Sequence, residues 1–212
     1  GYSLLCEQRG PRDLVTDAVA AEQAGFDFEV ISDHYLPWLD SQGHSPNTWP
    51  VLGAIAAATE RVPLMTCVTC PIIRYPPAVI AQQAATVALL AGDGRFTLGV
   101  GAGENLNEHV VGRSWPPVNV RHVMLAEAIE IIQGLFGGGY VNLEGEYLHV
   151  DSAKLWDVPR EGIAVAVAVS GEQSVEIFAP VADAMIATQP ERSLVDSFDG
   201  ASGARLPKIG QQ

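Results

Sequence analysis

Short apolar runs, each followed by an alanine-rich helical stretch, recur along this chain, and that alternation constrains the fold more than any single motif. Residues 2–5 read as a strand. Pro11 falls where a first helical turn tolerates proline, because the N–H it lacks would have no intrahelical partner. Leu14, Val15, Ala18, Val19 and Ala21 follow at helical spacing, and Gly25 ends the helix. The same reading gives strands over 26–31, 62–68 and 96–100, with helices over 50–60 and 77–90 between them. Leu125, Ala128, Ile129, Ile132, Leu135 and Phe136 keep one apolar helical face until Gly137-Gly138-Gly139 breaks it. Residues 140–150 alternate about Glu144-Gly145, the pattern of a hairpin insertion. A fifth strand is expected over 163–169, a helix over 172–179 and a sixth strand over 184–188. No further strand is read after Thr188.

Strand-then-helix units imply parallel strands joined by right-handed crossovers. Two architectures fit, a doubly wound sheet or a closed barrel. Six strands fall short of the eight in a complete β/α barrel. A chain that starts on a strand at Gly1-Tyr2-Ser3 and turns polar after Thr188 is expected to lack residues at both ends.

Composition narrows the function classes. With 48 % AVILMFWYC and only 17 % charged residues, the chain reads as a compact enzyme rather than a disordered segment. A net charge of −13 without Lys/Arg clusters excludes a nucleic-acid partner, since phosphate recognition needs them. No apolar run reaches the roughly 18 residues of a membrane span. Three unevenly spaced cysteines make no disulfide framework, which points to a reducing cytoplasm.

Polar or glycine-rich segments follow the strands directly: Ser32-Asp33-His34, Cys67-Val68-Thr69-Cys70-Pro71, Gly101 to Glu104, and Ser170-Gly171. In parallel α/β folds these strand ends share the face that carries the active site. His34 beside Asp33 has the residue types of a general base with an orienting neighbour, though alone it would read as an ordinary loop histidine. Trp38 is placed either to wall a pocket or to pack. Gly101-Ala102-Gly103 before Glu104 lets backbone approach a flat ligand or phosphate. A dinucleotide fingerprint is rejected, because position 106, where its third glycine belongs, is leucine. Cys67 and Cys70 form a lone C-x-x-C, read as small residues filling a strand end, with no second pair for zinc. His44, His109, His122 and His149 have no metal-ligand spacing and read as surface or structural residues. Glu104 and Glu108 share a face if their segment is helical.

Taken in order, Ser32-Asp33-His34-Tyr35-Leu36-Pro37-Trp38, Gly43-His44-Ser45-Pro46 and Gly99 to Glu108 resemble the F420-dependent glucose-6-phosphate dehydrogenase-like family of the luciferase-like superfamily. The resemblance runs from residue 1 to about residue 190. It implies an α/β (β/α)8 TIM barrel of luciferase-like type, with only about six β/α units in a single domain, 1–212, truncated at its C-terminus. It implies a cytoplasmic, homodimeric oxidoreductase that moves a hydride between coenzyme F420 and a small organic molecule, with no metal, membrane or nucleic acid involved. Asp33 would contact the deazaflavin, His34 would act as general base, Trp38 would support the reacting complex, and Glu104 would face the ring. Cys67-Val68 would form a non-prolyl cis bulge against the ring, and Cys70 would line it where the sugar-phosphate enzymes carry threonine. Gly101, Gly103 and Asn107 would approach the ring and ribityl chain, and Ser170, Gly171 and Glu172 the cofactor phosphate. Where those enzymes hold the substrate phosphate with a lysine, this chain has Glu191, a repelling carboxylate, which argues against glucose 6-phosphate. The alternatives are an FMN-dependent monooxygenase and a non-catalytic binding protein on a degenerate barrel.

Overall fold

The computed structural model describes residues 1–92, 94–189 and 191–210. Its elements follow the expected alternation. Strand β1 (Tyr2–Leu4) precedes α1 (Pro11–Ala24), β2 (Glu29–Ile31) precedes α2 (Thr48–Ala58), and β3 (Leu64–Thr66) precedes α3 (Pro77–Ala91). Strand β4 (Phe96–Val100) leads into the single-turn α4 (Asn105–Glu108) and the long α5 (Val118–Phe136). A hairpin of β5 (Val141–Glu144) and β6 (His149–Ala153) is inserted before β7 (Ala164–Ala168), α6 (Glu172–Phe178), β8 (Ala184–Ala187), α7 (Arg192–Ser202) and β9 (Lys208–Gly210). Two helices begin earlier than their apolar spacing indicates. Asn47 caps α2 by accepting the Trp49 N–H, and α5 starts directly behind Pro117.

The parallel sheet runs β1-β2-β3-β4-β7-β8-β9, with the hairpin a separate two-stranded ribbon. Among the described residues β1 and β9 do not pair, so the sheet is a curled half-barrel rather than a closed ring. This selects the barrel over the doubly wound alternative, and the six strand–helix units expected are present. The absence of a strand after Thr188 is corrected: α7 returns the chain and β9 pairs in parallel with β8, Ile186 opposite Ile209. Helix α7 docks through Phe198, which is completely buried.

The period of two along each strand sorts side chains between the sheet faces. Leu64, Leu98, Val100, Val165, Val167 and Met185 point outward into the main core, against Leu14, Ile80, Leu125 and Ile132 of the helices. Val30, Met65, Cys67, Ala166, Ala184 and Ile186 point inward and form a smaller cluster on the concave face. Each fully buried Leu or Ile contributes about 1.5–3 kcal/mol, so the helical layer carries most of the stability.

One buried residue opposes folding. Glu29 is 0 % exposed, and neither carboxylate oxygen has a hydrogen-bond partner. Burial, reinforced by Glu22, pushes its carboxyl up to about 7, against an opposing pull from Arg95. Because the folded-state value is raised, folding stability falls as pH climbs from the unfolded value toward 7, and the full penalty applies above it. Glu29→Gln is therefore expected to stabilise the chain by up to about 2 kcal/mol at pH 8, after allowing for partial solvent screening, and by almost nothing at pH 4. Urea unfolding at the two pH values measures this difference.

Candidate active site

The C-terminal ends of the parallel strands meet at one rim, where they line a cleft of about 510 Å³. That volume lies in the range of small-ligand and cofactor sites. The floor is the inner sheet face, with Val68, Ala168 and Ile186 exposed to the cleft. Strand β3 is interrupted just above it by a cis peptide between Cys67 and Val68, as expected, and pairing resumes at Thr69, opposite Val100. The loop after β4 closes down on this segment because it carries glycines. A Cβ on Gly101 would lie 2.8 Å from Val68 Cγ2. Gly103 has a φ of +70°, and a Cβ there would collide with Cys70 Sγ. Gly103→Ala is expected to cost about 1–3 kcal/mol of stability through left-handed strain and this collision, read as a lowered urea midpoint.

One wall carries a pair that the sequence did not reveal. His34 Nδ1 lies 2.5 Å from Glu7 Oε1, off the N–H axis, with both side chains largely buried. Burial pushes the Glu7 carboxyl up, but the His34 contact and a backbone N–H outweigh it and hold it below the usual value. A carboxylate against Nδ1 favours the proton on that nitrogen, leaving the Nε2 lone pair as the free acceptor. Trp38 packs edge-on to the imidazole at 5.3 Å between ring centroids. It is 52 % exposed, so it forms a wall of the cleft mouth rather than part of the core.

Asp33 lines the cleft but is almost fully buried among polar partners. Its carboxylate accepts from Thr69 Oγ1 at 2.9 Å and from Arg74 Nη2 at 3.1 Å. The same guanidinium donates to the Asp33 carbonyl at 2.6 Å, and Arg74 Nε faces Glu108 Oε1 at 3.4 Å. The Arg74 backbone N–H donates to Glu108 Oε2 at 2.8 Å. Burial pushes the Glu108 carboxyl up despite this partner, while two carboxylates and Tyr75 hold the Arg74 guanidinium in its charged form against its own desolvation. Glu104 and Glu108 therefore do not act as a pair. Glu104 precedes α4 and is exposed at the cleft, whereas Glu108 ends α4 and is buried on Arg74.

Asn107 joins the two walls. Its Oδ1 accepts the backbone N–H groups of Tyr35 at 2.8 Å and Leu36 at 3.1 Å, which fixes the loop after His34 against α4. Only its amide nitrogen is left for a ligand. Cys67 and Cys70 are free and buried, and desolvation raises both thiols above their usual value, so neither is an activated nucleophile. Ser170 borders the cleft and also an adjoining one of about 330 Å³; Gly171, Glu172 and Glu191 line only the latter. Arg121, and His122, whose sequence context reads as surface or structural, also line the main cleft. Among the described residues no acidic, His or Cys cluster could hold a metal, and no helix is long and apolar enough to cross a membrane.

These residues fit a flat aromatic ring. Small apolar groups and glycine backbone line the cleft together with hydrogen-bonding side chains such as His34, Glu104 and Asn107. A rim cleft of this kind on a parallel β/α scaffold is the ligand site of a barrel-type enzyme. Residues 3–199 match the profile of the luciferase-like monooxygenase family, and the chain belongs to that family. It is 45 % identical over 188 residues to the F420-dependent glucose-6-phosphate dehydrogenase of Beutenbergia cavernae, covering 89 % of this chain and 56 % of that protein. Identity to the Nakamurella multipartita protein of the same name is 43 %, covering 89 % and 55 %. The chain thus spans little more than half the length of the curated relatives it matches. An F420-dependent secondary alcohol dehydrogenase, solved with an F420-acetone adduct, superposes with a TM-score of 0.93 at 31 % identity, covering 99 % of this chain and 67 % of that one.

Proposed function

We propose that this chain, as one luciferase-like domain, binds coenzyme F420 and serves an oxidoreductase acting on a small, non-phosphorylated organic substrate such as a secondary alcohol or its ketone. The observation that carries this reading is the His34–Glu7 pair in the lining of the same cleft as Glu104. When bound, the deazaflavin supplies a two-electron site that accepts or returns a hydride. His34 Nε2 takes the proton from a substrate hydroxyl, and the Glu7 carboxylate stabilises the imidazolium that results. Trp38 limits water access at the mouth. Glu104 provides a polar group at the ring's edge, and Gly101, Gly103, Val68 and Cys70 form the backbone shelf and side walls that hold the ring flat. Asp33, in the same cleft lining, contacts the deazaflavin and also fixes the Arg74 bridge. The Asn107 amide nitrogen, Ser170 and Gly171 border the polar arm of the cofactor. The Glu172 carboxylate is turned to the adjoining cleft.

The substrate class follows from that adjoining cleft. Its lining contains Glu172 and Glu191 and no lysine or arginine, so a phosphorylated substrate meets repulsion there. The names of the relatives support F420 over FMN, although the family also covers monooxygenases. The three unpaired cysteines support a cytoplasmic location. A homodimer belongs to the same proposal and is checked by a solution mass of twice 22.5 kDa.

Reduction of F420, followed at its visible absorption band, tests the function. Secondary alcohols and sugar phosphates are compared in one direction, and ketones, enones and imines in the other. Turnover with an unphosphorylated alcohol and none with glucose 6-phosphate is expected. Oxygen consumption with bound FMN would replace this reading by a monooxygenase.

A further inference from the structure

Resting on the F420 reading, we infer that His122, together with Arg121, recognises the anionic phosphate arm of the cofactor at the end of the cleft away from His34.

His122 is 8 % exposed and lines the cleft, yet it makes no side-chain hydrogen bond within the described residues and its Nδ1 is buried without a partner. Its ring packs edge-on to Phe178 of α6 at 5.6 Å. Phe178 is one helical turn beyond Ser174, which also lines the cleft, so the imidazole stands beside the Ser170–Ser174 segment. Burial, with a contribution from the Arg121 charge, lowers its pKa and keeps the ring neutral. With Nδ1 enclosed, Nε2 is the nitrogen that reaches the cleft, and a proton there makes it a hydrogen-bond donor.

Charge decides what that donor meets. Arg121 is the one arginine or lysine among the residues lining the cleft, which otherwise carries the carboxylates Glu7, Asp33, Glu104 and Glu108. It is held rigidly: Nε donates to the Ala102 carbonyl at 3.2 Å, Nη1 to the Pro116 carbonyl at 2.8 Å, and the guanidinium lies 4.3 Å from the Trp115 ring centroid. Among the described residues no protein acceptor engages Nη2. Ser174 is not the recognition group, since its Oγ already accepts the Ser170 and Gly171 N–H groups and donates to the Gly171 carbonyl. The adjoining cleft is unsuited to an anion because of Glu172 and Glu191. Arg121 and His122 are therefore the cationic and imidazole donors that this cleft offers an oxyanion near Ser170.

The test compares F420 with the phosphate-free deazaflavin at the riboflavin level, titrating each against the chain by fluorescence. His122→Phe is expected to weaken F420 binding by about 10-fold or more, the equivalent of one hydrogen bond to a charged group. It should leave the phosphate-free compound unaffected. His122→Gln keeps an amide donor at comparable reach and is expected to recover most of the affinity, which also controls for misfolding. Equal weakening of both ligands, or no change in either, would overturn the assignment while leaving the F420 reading intact. A wild-type chain that binds neither compound would overturn both.

Discussion

Replacing His34 by alanine is expected to lower turnover by about 10²–10⁴-fold while leaving F420 affinity within a few-fold of wild type. The magnitude is that of a positioned general base removed from the transition state. The split between turnover and affinity follows from position. His34 stands on the wall of the cleft against Glu7, whereas the floor and the glycine shelf that hold the ring are built from β3, β4, β7 and β8. Glu7→Gln should act in the same direction and less strongly, because it leaves the imidazole in place and removes only the carboxylate that stabilises its protonated form. Steady-state kinetics and a cofactor titration on the same variants measure both quantities. If the cleft only binds ligand, neither variant has any turnover to lose.

Arg74→Met is expected to cost about 3–5 kcal/mol of folding stability, the penalty for removing one partner of a buried ionic network. Asp33 and Glu108, each with a side chain 1 % exposed, would be left facing one another without a cation. The loss should shrink as pH falls. Burial already pushes the Glu108 carboxyl up, and without Arg74 its protonated form is favoured further, so the penalty applies above its raised folded value and fades as it protonates at lower pH. Urea unfolding at pH 7 and pH 4 separates this from a simple packing defect, which would cost the same at both. A weaker second effect is expected in the cleft. Arg74 joins the His34 loop to α4, so cofactor affinity should fall even where the variant is fully folded.

The strand-end motifs were legible because each is contiguous. Asp33-His34, Cys67 to Cys70 and Gly101 to Glu104 follow their strands immediately, and parallel topology brings such segments to one rim. The partnerships between them were not. Glu7 with His34, and Arg74 with Asp33 and Glu108, connect positions 27 to 41 residues apart in a chain whose local pattern says nothing about pairing. His122 was read with the other histidines as a surface or structural residue because no metal-ligand spacing joins them, although its place three residues before Leu125 on the apolar face of α5 is a signal of burial. Strand β9 was missed because Lys208-Ile209-Gly210 has one apolar residue and no period to read. Asp33, expected to contact the ring, does line the cleft, but its sequence position gave no sign that its carboxylate would also pair with Arg74 and Thr69.

The central claim is that this half-barrel cleft holds a deazaflavin between His34 and Glu104, and direct titration with oxidised F420 tests it most simply. One equivalent per chain should bind with a change in fluorescence, and adding an unphosphorylated secondary alcohol should then bleach the visible band. Failure to bind F420 under conditions where the chain is folded, or stoichiometric uptake of FMN in its place, would contradict the account.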